Sequence, residues 1–454
     1  MIADLKPYAA MKDSGVPWLG QVPEHWDLVP NRALMTVKKQ IVGERADDYT
    51  LLSLTKRGII ARDMVNPEGK FPTSFETYQA VEPGDLVFCL FDIDETPRAV
   101  GLSSLSGMIT GAYTVFACRD AQARRFIYWL YLSFDNAKLL KPLYSGLRKV
   151  ITKSTFLSAK LALPPAPEQR AIVRYLDYID RRVRRYILAK QKLIGLLEEQ
   201  KQAIIHRAVT RGLDPNVPLK PSGVEWLGDV PEHWEVRRLK FLAHIKTGGR
   251  DTVDRKDDGD YPFFVRSQTV ERIDSYSFDG EAVLTAGDGA GVAKVFHHYV
   301  GKFDYHQRVY KFSNFRNIRG KFFFYYLSCT LRYVAFRETA KSTVDSLRLP
   351  MLQNFPVALP PSDEQVQIVE AIETETATLE RSLTTVKRKI ELLREYRTRL
   401  IADVVTGNLD VRQAAANLPD ELPEPGPLDQ VDDLMGESDA LSDDLKPIPE
   451  EAGA

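Results

Sequence analysis

One long stretch occurs twice in this chain, and this duplication constrains the fold more than any other feature. Residues Leu163–Asp214 and Leu359–Asp410 align without a gap at an offset of 196. Both copies open with Leu-Pro-Pro, two residues and Glu-Gln, and no proline follows before the closing Leu-Asp. Paired prolines suit the residues just before a helix rather than its interior. Each copy therefore predicts one helix of about 40 residues, a rod of roughly 60 Å at 1.5 Å per residue.

Both predicted helices carry apolar residues spaced by four and three, which is the spacing of a coiled coil. A lone rod would expose this stripe to water, so two rods in one chain most simply bury their stripes on each other. Two unrelated surface helices are the alternative, but the flanking sequence repeats as well. The predicted helix-pairing seam consists of Val183, Ile187, Ile194, Leu197 and Ile204 in the first copy and Leu379, Leu383, Ile390, Leu393 and Leu400 in the second.

A shorter repeat lies upstream of each long one. Ser14–Trp26 reads SGVPWLGQVPEHW and Ser222–Trp234 reads SGVEWLGDVPEHW, so eleven of thirteen positions match. His25 and His233 raise the possibility of a metal site, but each has only one glutamate beside it, too few ligands for a closed site. We therefore assign no metal ligands and predict a packing role, in which the tryptophan rings hold an irregular segment onto its domain.

The segments between the two repeats have similar ends and dissimilar middles. Both middles contain strand-like runs broken by Gly and Asp turns, together with a helical stretch, which predicts mixed α/β domains. The aromatic run Phe322–Tyr326 is spaced as in a helix and predicts core packing rather than base stacking. The predicted strands are Tyr49–Leu54, Asp85–Phe91, Tyr113–Cys118, Ala282–Thr285 and Arg308–Phe312, and the predicted helices are Arg125–Lys141 and Lys321–Phe336.

The net charge of −1 hides an uneven distribution. From Ala414 to Ala454 the chain has twelve acidic residues and one basic residue, so this tail carries −11 and the rest +10. The tail has no aromatic residue and is predicted to be disordered. A positive body favours a polyanionic partner. The predicted division is a first domain at 1–160, a long helix at 161–213, a second domain at 214–357, a long helix at 358–410 and the tail at 411–454.

The doubled LPP-x-x-EQ helix, the doubled SGV-x-WLG-x-VPEHW motif and the two unlike inserts together resemble the specificity subunit of type I restriction–modification systems, over roughly residues 11–410. The resemblance implies an α+β fold: two mixed α/β target recognition domains separated by two long antiparallel coiled-coil helices, duplicated with pseudo-two-fold symmetry. Each recognition domain would read one half of a bipartite DNA site. The paired helices would dock modification subunits and set the half-site spacing. The acidic tail is not part of the family pattern.

The resemblance also implies the partners and the compartment. Double-stranded DNA, two modification (methyltransferase) subunits and restriction (endonuclease/translocase) subunits would bind this chain. S-adenosylmethionine, ATP and Mg would belong to those partner subunits, with no cofactor in this chain. The scattered cysteines Cys89, Cys118 and Cys329 exclude a disulfide framework, and no apolar run is long enough to span a membrane. We therefore expect a protein of the bacterial or archaeal cytoplasm.

DNA recognition requires Lys and Arg at phosphates, and Arg, Lys, Asn or Gln at base edges. Such residues cluster in predicted loops of both inserts, although a charge cluster is more often only a solvated face. The candidates in the first insert are Lys56, Arg57, Arg62, Lys70, Arg148, Lys149 and Lys153, and those in the second are Arg250, Arg255, Lys256, Arg266, Gln268, Lys294, Lys341 and Arg348.

No motif of a catalytic site stands out. The loop Gly287–Gly291 lacks the Gly-Lys-Ser/Thr of a phosphate-binding Walker loop, and Asn66-Pro67-Glu68 is not a methyltransferase motif. Asp48 with Glu68 and Lys70 matches a nuclease pattern that arises by chance in many chains. We therefore predict a non-catalytic subunit. The alternatives are a stand-alone DNA-binding regulator and a coiled-coil adaptor.

Overall fold

The computed structural model describes residues 5–62, 74–144, 149–339 and 346–419. The chain divides into two compact units, one of Met1–Lys192 with Arg388–Ala454 and the other of Leu193–Lys387. We call them unit 1 and unit 2. The division cuts both long helices, so each unit combines one globular domain with half of each helix. The predicted division instead treated each helix as a segment of its own.

The helices and strands have the following bounds within the described residues. The helices are α1 (Asn31–Leu34), α2 (Arg124–Asn136), α3 (Lys153–Ser158), α4 (Ala166–Arg211), α5 (Gly320–Thr339), α6 (Leu349–Gln353), α7 (Ser362–Val405) and α8 (Arg412–Ala416). The strands of unit 1 are β1 (Met11–Asp13), β2 (Gln21–Pro23), β3 (Asp27–Pro30), β4 (Met35–Lys38), β5 (Leu52–Thr55), β6 (Gly58–Ala61), β7 (Gln79–Val81), β8 (Leu86–Phe88), β9 (Val100–Leu102), β10 (Gly107–Ile109), β11 (Thr114–Cys118) and β12 (Lys160–Leu163). The strands of unit 2 are β13 (Leu219–Pro221), β14 (Asp229–Pro231), β15 (Glu235–Arg238), β16 (His244–Thr247), β17 (Tyr261–Phe264), β18 (Glu271–Ile273), β19 (Phe278–Ala286), β20 (Phe296–Tyr305), β21 (Val309–Ser313) and β22 (Pro356–Leu359).

Both long helices are present, and each lies within the predicted bounds, as Ala166–Arg211 inside 161–213 and Ser362–Val405 inside 358–410. The first helical hydrogen bonds run from Gln169 N to Pro165 O at 3.0 Å and from Gln365 N to Pro361 O at 3.0 Å. Proline has no N–H to extend either helix further back. Gly212 and Gly407 follow the helix ends with φ of 74° and 79°. This left-handed conformation, which favours glycine, ends many helices.

The two helices run antiparallel. In unit 2, Lys387 Nζ lies 3.3 Å from Glu198 Oε1, and Lys201 Nζ lies 2.8 Å from Glu380 Oε1. Increasing positions on α4 thus meet decreasing positions on α7. In unit 1, the α7 residue Arg397 donates a hydrogen bond to the carboxylate of Asp180 on α4. The antiparallel direction agrees with the expectation from the sequence.

The predicted seam corresponds only in part to the buried face of the helices. Val183, Ile187, Leu383, Ile390 and Leu400 are buried, whereas Ile194, Leu197, Ile204, Leu379 and Leu393 are half-buried. Near the end of α4 the buried residue is Ile205 rather than Ile204, because Ile205 belongs to the hydrophobic core of unit 2. Heptad spacing describes packing between helices alone. It misses the turns of α4 and α7 that also pack against a globular domain.

The globular part of unit 1 is built on a four-stranded antiparallel sheet in the order β4-β11-β8-β9. The strand pairs β5–β6 and β7–β10 adjoin it among the described residues. Phe88, Phe116, Tyr131 and Phe156 pack together with ring centroids 4.8–5.5 Å apart. These rings join the sheet to α2 and α3. The predicted strands and the helix lie at the expected places, with ends shifted by a few residues.

The globular part of unit 2 has a different sheet. The described strands form one six-stranded sheet in the order β16-β21-β19-β20-β17-β18, in which only β17 and β20 run parallel. The helix α5 packs on this sheet, and Phe322, Phe323 and Tyr326 lie in its core with no exposed surface. The prediction that this aromatic run serves packing is therefore confirmed.

Beneath the two different sheets lies the same supporting frame. In unit 1, β3 pairs antiparallel with β12, with Asp27 opposite Leu163. In unit 2, β15 pairs with β22 in the same way, with Glu235 opposite Leu359. Each pair joins the end of a Trp-rich motif to the start of a Leu-Pro-Pro segment. The two repeats, far apart in sequence, are therefore neighbours in the fold.

This pairing brings the Trp-rich motif of unit 1 against the first turn of α4. Trp26 is fully buried, and its Nε1 donates a hydrogen bond to Glu168 Oε1 at 2.8 Å. His25 Nε2 lies 2.8 Å from Glu168 Oε2, and the Tyr8 hydroxyl donates to Oε1 at 2.6 Å. Burial and the hydrogen bond to Glu168 raise the pKa of Tyr8, which keeps this phenol protonated.

Unit 2 repeats the contact with Glu364 in place of Glu168. Trp234 is fully buried and its Nε1 lies 3.1 Å from both carboxylate oxygens, while His233 Nε2 lies 2.7 Å from Oε2. The predicted packing role of Trp26 and Trp234 is confirmed. The carboxylate that receives them was not predicted, although it is the Glu of the repeated Glu-Gln pair.

The start of the predicted disordered tail is ordered, so the expected boundary at residue 411 is wrong. Val411 is fully buried, Ala415 is 3% exposed, and α8 spans the residues between 412 and 416. Asp410 N donates to Lys6 O at 2.8 Å, and Arg174 Nη2 donates to Leu418 O at 2.9 Å. Charge and composition change only further on, so this short apolar anchor gave no signal. Residues 420–454 lie outside the described part.

Candidate nucleic-acid interface

Five segments of unit 2 meet at the ends of its strands. Three of them, residues 248–251, 265–270 and 287–295, follow β16, β17 and β19, residues 306–308 lie between β20 and β21, and residues 346–348 precede α6. We call this group of segments the strand-end cluster. Backbone hydrogen bonds connect its members: Gly287 N to Arg308 O at 2.8 Å, Leu347 N to Gly287 O at 2.7 Å, and Gln307 N to Arg250 O at 2.8 Å.

Glycines make these close approaches possible. A Cβ on Gly248 would lie 2.0 Å from the carbonyl oxygen of Tyr305, and one on Gly287 would lie 2.9 Å from that of Arg308. Neither distance is tolerated between a side chain and a backbone. Gly289 has a φ of 71°, which favours glycine for a different reason. The glycine-rich loop that failed as a phosphate-binding motif therefore serves to join strand ends.

The strand-end cluster gathers five of the candidates predicted in the second insert. These are Arg250, Arg266, Gln268, Lys294 and Arg348. Arg250 Nε lies 3.3 Å from the buried carboxylate of Asp304, and Gln268 Nε2 donates to the Phe296 carbonyl at 3.3 Å. The side chains of Lys294 and Arg348 are exposed. Cationic and amide groups from distant parts of the insert are thus brought to one edge of unit 2.

Asp288 links two arginines within this cluster. Its Oδ1 accepts a hydrogen bond from Arg266 Nη1 at 3.0 Å, and its Oδ2 accepts one from Arg308 Nη1 at 2.6 Å. The Asp288 side chain is 15% exposed, whereas those of Arg266 and Arg308 are 46% and 62% exposed. The carboxylate therefore sits beneath two guanidinium groups that face solvent.

His306 stabilises the backbone of Arg308. It is 2% exposed, and its Nδ1 accepts a hydrogen bond from Arg308 N at 2.9 Å. Burial and the nearby positive charge of Arg266 lower the pKa of His306. The imidazole is therefore neutral at pH 7, which leaves Nδ1 available as an acceptor.

Two predicted residues of the second insert, Arg255 and Lys256, are not part of the cluster. Arg255 lies 3.7 Å from the Glu271 carboxylate and 3.9 Å from that of Asp257, and Lys256 forms an ion pair with Asp274. These contacts place both cations beside β18 and the loop before β17. Their positions are those of ordinary surface ion pairs.

The first insert places its candidates at separate points of unit 1. Lys56 and Arg57 occupy the turn between β5 and β6, and Arg62 directly follows β6. Lys149 lies 2.8 Å from Glu95 and 3.3 Å from Asp94, and these hydrogen-bonded carboxylates raise its pKa. Lys153 is the exposed first residue of α3. Lys70 and Arg148 of this insert, and Lys341 of the second, lie outside the described residues.

Two residues of the strand-end cluster, Gln307 and Arg308, were not among the candidates predicted from the sequence. Arg308 opens a predicted strand, and an arginine there reads as a solvent-facing strand residue. Its partner Asp288 lies in a glycine-rich loop that was considered only as a phosphate-binding motif. A usable signal was present, because an Asp between two glycines predicts a tight turn whose carboxylate accepts hydrogen bonds. The identity of the donors was set by the sheet order, which one sequence does not show.

No group of three or more His, Cys, Asp or Glu side chains among the described residues is arranged to hold a metal ion. None of their helices is both long and apolar enough to cross a membrane.

Comparison with known proteins identifies the family. The family model of the type I restriction modification DNA specificity domain matches residues 112–193 and 231–392, together more than half of the chain. The chain belongs to this family. The two matched regions cover parts of both inserts and most of both long helices, so the resemblance seen in the repeats is confirmed.

Individual relatives agree with the family assignment. The specificity subunit of the Escherichia coli type I restriction enzyme EcoDI is 30% identical over 182 residues, which is 40% of this chain and 40% of that protein. The specificity subunit of the Methanocaldococcus jannaschii type I restriction enzyme MjaVIII is 31% identical over 98 residues, 22% of this chain and 21% of that protein. Neither alignment reaches half of the relative's length.

A solved structure shares the fold. This chain matches one solved chain with a TM-score of 0.59 at 15% identity. That chain comes from a study of the structural basis underlying complex assembly and conformational transition of the type I R-M system. The match covers 86% of this chain and 99% of that chain. The predicted fold class, with two mixed domains and two long helices, is confirmed.

Proposed function

We propose that this member of the type I restriction modification DNA specificity family is the DNA-recognition subunit of a type I restriction–modification complex. Each globular domain reads one half of a bipartite site in double-stranded DNA. The observation that carries the proposal is that matched frames, β3–β12 on Glu168 and β15–β22 on Glu364, support sheets of four and six strands. A frame kept constant under unlike domains suits a target with two unlike halves.

Charge supports DNA as the target. Residues 1–413 carry +10, and counterion release makes a positive surface bind DNA independently of sequence. The strand-end cluster adds Arg and Gln side chains, which form paired hydrogen bonds to guanine and adenine edges in the major groove. The sheets that carry these strand ends differ between the two units, as separate half-sites require.

The paired helices are the proposed docking surface for modification subunits and the spacer between half-sites. In this proposal the chain does no chemistry of its own. S-adenosylmethionine is held by two modification subunits, and ATP and Mg are held by restriction subunits. These partner subunits carry out methyl transfer and cleavage, and this chain recognises the DNA sequence at which they act.

Co-expression with the modification subunit of the same host tests the proposal. The expected result is a complex of one copy of this chain with two modification subunits, and DNA methylated at one bipartite motif. Methylation-aware sequencing of host DNA with and without the gene should show the motif appear and disappear. Methylation that does not depend on this chain would contradict the proposal. Specific DNA binding by the lone chain, without methylation, would indicate the stand-alone regulator instead.

A further inference from the structure

We propose that Arg266 and Arg308 are specificity-determining residues of the second recognition domain, each contacting a guanine in the major groove, and that Asp288 is the positioning residue for both. This inference rests on the proposed function and names the atoms that perform it in unit 2. It starts from the contact in which one carboxylate holds two exposed guanidinium groups, at 3.0 Å and 2.6 Å.

The first step concerns the remaining hydrogen-bond donors. A guanidinium has five N–H donors in a planar fork, and a guanine edge takes two of them at O6 and N7. Asp288 occupies Nη1 of each arginine. Within the described part of the chain, the side chain of Arg308 makes no other hydrogen bond and is 62% exposed, which leaves its Nε and Nη2 donors available to a ligand. Asp288 fixes the Nη1 side of the guanidinium fork, and the Nε and Nη2 side remains available to a guanine edge.

The second step concerns preorganisation. Arginine loses rotamer entropy when it binds, and a side chain already held in place loses less. Asp288 is 15% exposed, and its own backbone is held by the bridge to Ser346 and by the neighbouring Gly287–Arg308 hydrogen bond. Beneath Arg308, the neutral ring of His306 accepts its backbone N–H. Arg308 is therefore anchored at both side chain and backbone, and Arg266 is anchored through its side chain.

The third step separates base reading from other roles. A surface ion pair contributes little to stability. Here one carboxylate is shared by two cations, and the three charges leave a net charge of +1 at the edge of the sheet. This excess positive charge favours the binding of polyanionic DNA. A phosphate contact depends mainly on charge, whereas a side chain that is held by Asp288 and also makes two hydrogen bonds to guanine depends on the planar fork of arginine.

Conservative variants distinguish these roles. The substitutions Arg308→Lys, Arg266→Lys and Asp288→Asn are made in the full chain, co-expressed with the modification subunit, and the methylated motif is sequenced. Arg308→Lys and Arg266→Lys keep the charge and lose the fork. Asp288→Asn keeps the size, removes the negative charge and replaces one of the two acceptor oxygens by an N–H donor. Arg237→Lys is the matched control, because Arg237 is 45% exposed, forms an ion pair with Glu235 at 2.7 Å, and lies outside the strand-end cluster.

Each arginine variant is expected to relax the requirement for guanine at one position in one half of the motif. Discrimination at that position should fall about 5- to 150-fold, the usual worth of one bidentate contact. Asp288→Asn should relax both positions, and Asp288→Glu should restore part of the discrimination. The other half of the motif should be unchanged in every variant, and Arg237→Lys should preserve the whole motif.

Three results would overturn the inference. One is an unchanged motif in Arg308→Lys and Asp288→Asn. Another is methylation that weakens equally at all sites in the arginine variants, which would indicate that the arginines contact phosphates rather than bases. The last is a wild-type motif without a required guanine in the half read by unit 2. Methylation independent of the wild-type chain would overturn the proposed function itself. If Asp288→Asn does not assemble with the modification subunit, the two lysine variants still decide the question.

Discussion

Trp26 donates its indole N–H to the carboxylate of Glu168 over 2.8 Å, although 142 positions separate the two residues in sequence. The same relationship joins Trp234 to Glu364 in unit 2. Each contact ties a Trp-rich motif to the first turn of a long helix. A carboxylate in the first turn also interacts favourably with the positive end of the helix dipole. The two repeats of the sequence are therefore the two halves of one structural joint, which occurs twice.

The joint in unit 1 should be the more sensitive to loss of charge. Glu168 is 5% exposed and also accepts the Tyr8 hydroxyl, whereas the Glu364 side chain is 23% exposed. Replacing Glu168 by Gln presents an amide N–H to groups that need an acceptor. The expected loss is about 1.5–3 kcal/mol, typical of a hydrogen bond to a charged group. Glu364→Gln should cost less, because water can reach the site.

Urea unfolding of both variants, with hydrogen exchange measured separately at residues 166–192 and 362–387, checks this prediction. Exchange should accelerate mainly in the helix segment next to the substituted residue. An equal loss in the two variants, or a larger loss for Glu364→Gln, would show that burial of the carboxylate does not determine the strength of the joint.

The internal symmetry fails in the helix pair, at Asp180. At the offset of 196, its counterpart in α7 is Thr376, which is 3% exposed and donates its hydroxyl to Ile372 O at 2.7 Å. Asp180 instead binds Arg397 and, at 2.9 Å, Arg184. Burial by itself would raise the pKa of Asp180, but the two arginines outweigh it and lower the pKa below 3.8. Unit 1 therefore contains a buried carboxylate paired with two half-buried arginines where unit 2 has a threonine.

This ion pair predicts a pH-dependent term in the stability of unit 1. Since the folded-state pKa of Asp180 is below the ordinary 3.8, its contribution is complete above that pH and is lost as the pH falls through the folded-state value. Asp180→Asn should cost about 1.5–3 kcal/mol near neutral pH, because the half-buried Arg397 loses a charged hydrogen-bond acceptor. The difference from wild type should shrink below pH 3.8. Thr376→Val is the control and should show a pH-independent difference.

The sequence predicted the frame of this protein better than its candidate nucleic-acid interface. Long helices follow from local rules, because prolines and the Leu-Asp turn bound them and periodic apolar residues fill them. The joint needed one further step, the pairing of Asp27 with Leu163, which no local pattern encodes. Arg308 and Asp288 are 20 positions apart and meet only because β21 lies beside β19. Strand order sets such contacts, and a single sequence does not reveal strand order.

Two parts of the C-terminal segment should have different effects, residues 411–419 on stability and residues 420–454 on DNA affinity. Truncation after Pro419 should leave the free energy of unfolding unchanged, because the ordered contacts of Val411, Ala415 and Leu418 are kept. It also removes a net charge of −11, so DNA affinity of the complex should rise at low salt and the gain should fade as salt screens the charges. Truncation after Asp410 removes the anchor and should destabilise unit 1. Thermal unfolding and salt-dependent DNA binding check both parts, and an equal loss of stability in both would contradict the division.

Exchange of one insert should change one half of the methylated motif. Residues 31–158 lie between β3 and β12, and Asn31 belongs with the insert because its side chain binds the Phe156 carbonyl at 2.7 Å. Replacing this segment by that of another family member retains the joint at Glu168. The half-site read by unit 2 should stay the same, and the other half should become that of the donor. If both halves or neither change in the sequenced motif, the two domains do not read DNA independently.

The proposed spacer role of the helix pair predicts that longer helices lengthen the gap between half-sites. Seven residues inserted after Gly195 and seven after Glu391 keep the heptad register of both helices. These points match across the pair, since Glu198 lies opposite Lys387, and a side chain at Gly195 meets open space. One heptad adds about 10 Å at 1.5 Å per residue. That length corresponds to about three base pairs of DNA, at roughly ten per 34 Å turn.

Three added base pairs also rotate one half-site around the DNA axis, so overall methylation should fall. The methylation that persists should have unchanged half-sites and a spacer longer by about one to three base pairs, as the DNA or the domains adjust to the rotation. An insertion in α4 alone is the control. It breaks the pairing register of Glu198 with Lys387 and should abolish motif-specific methylation. If the doubly extended chain methylates DNA at the original spacing, the helices do not set the half-site distance, and their role is limited to docking the modification subunits.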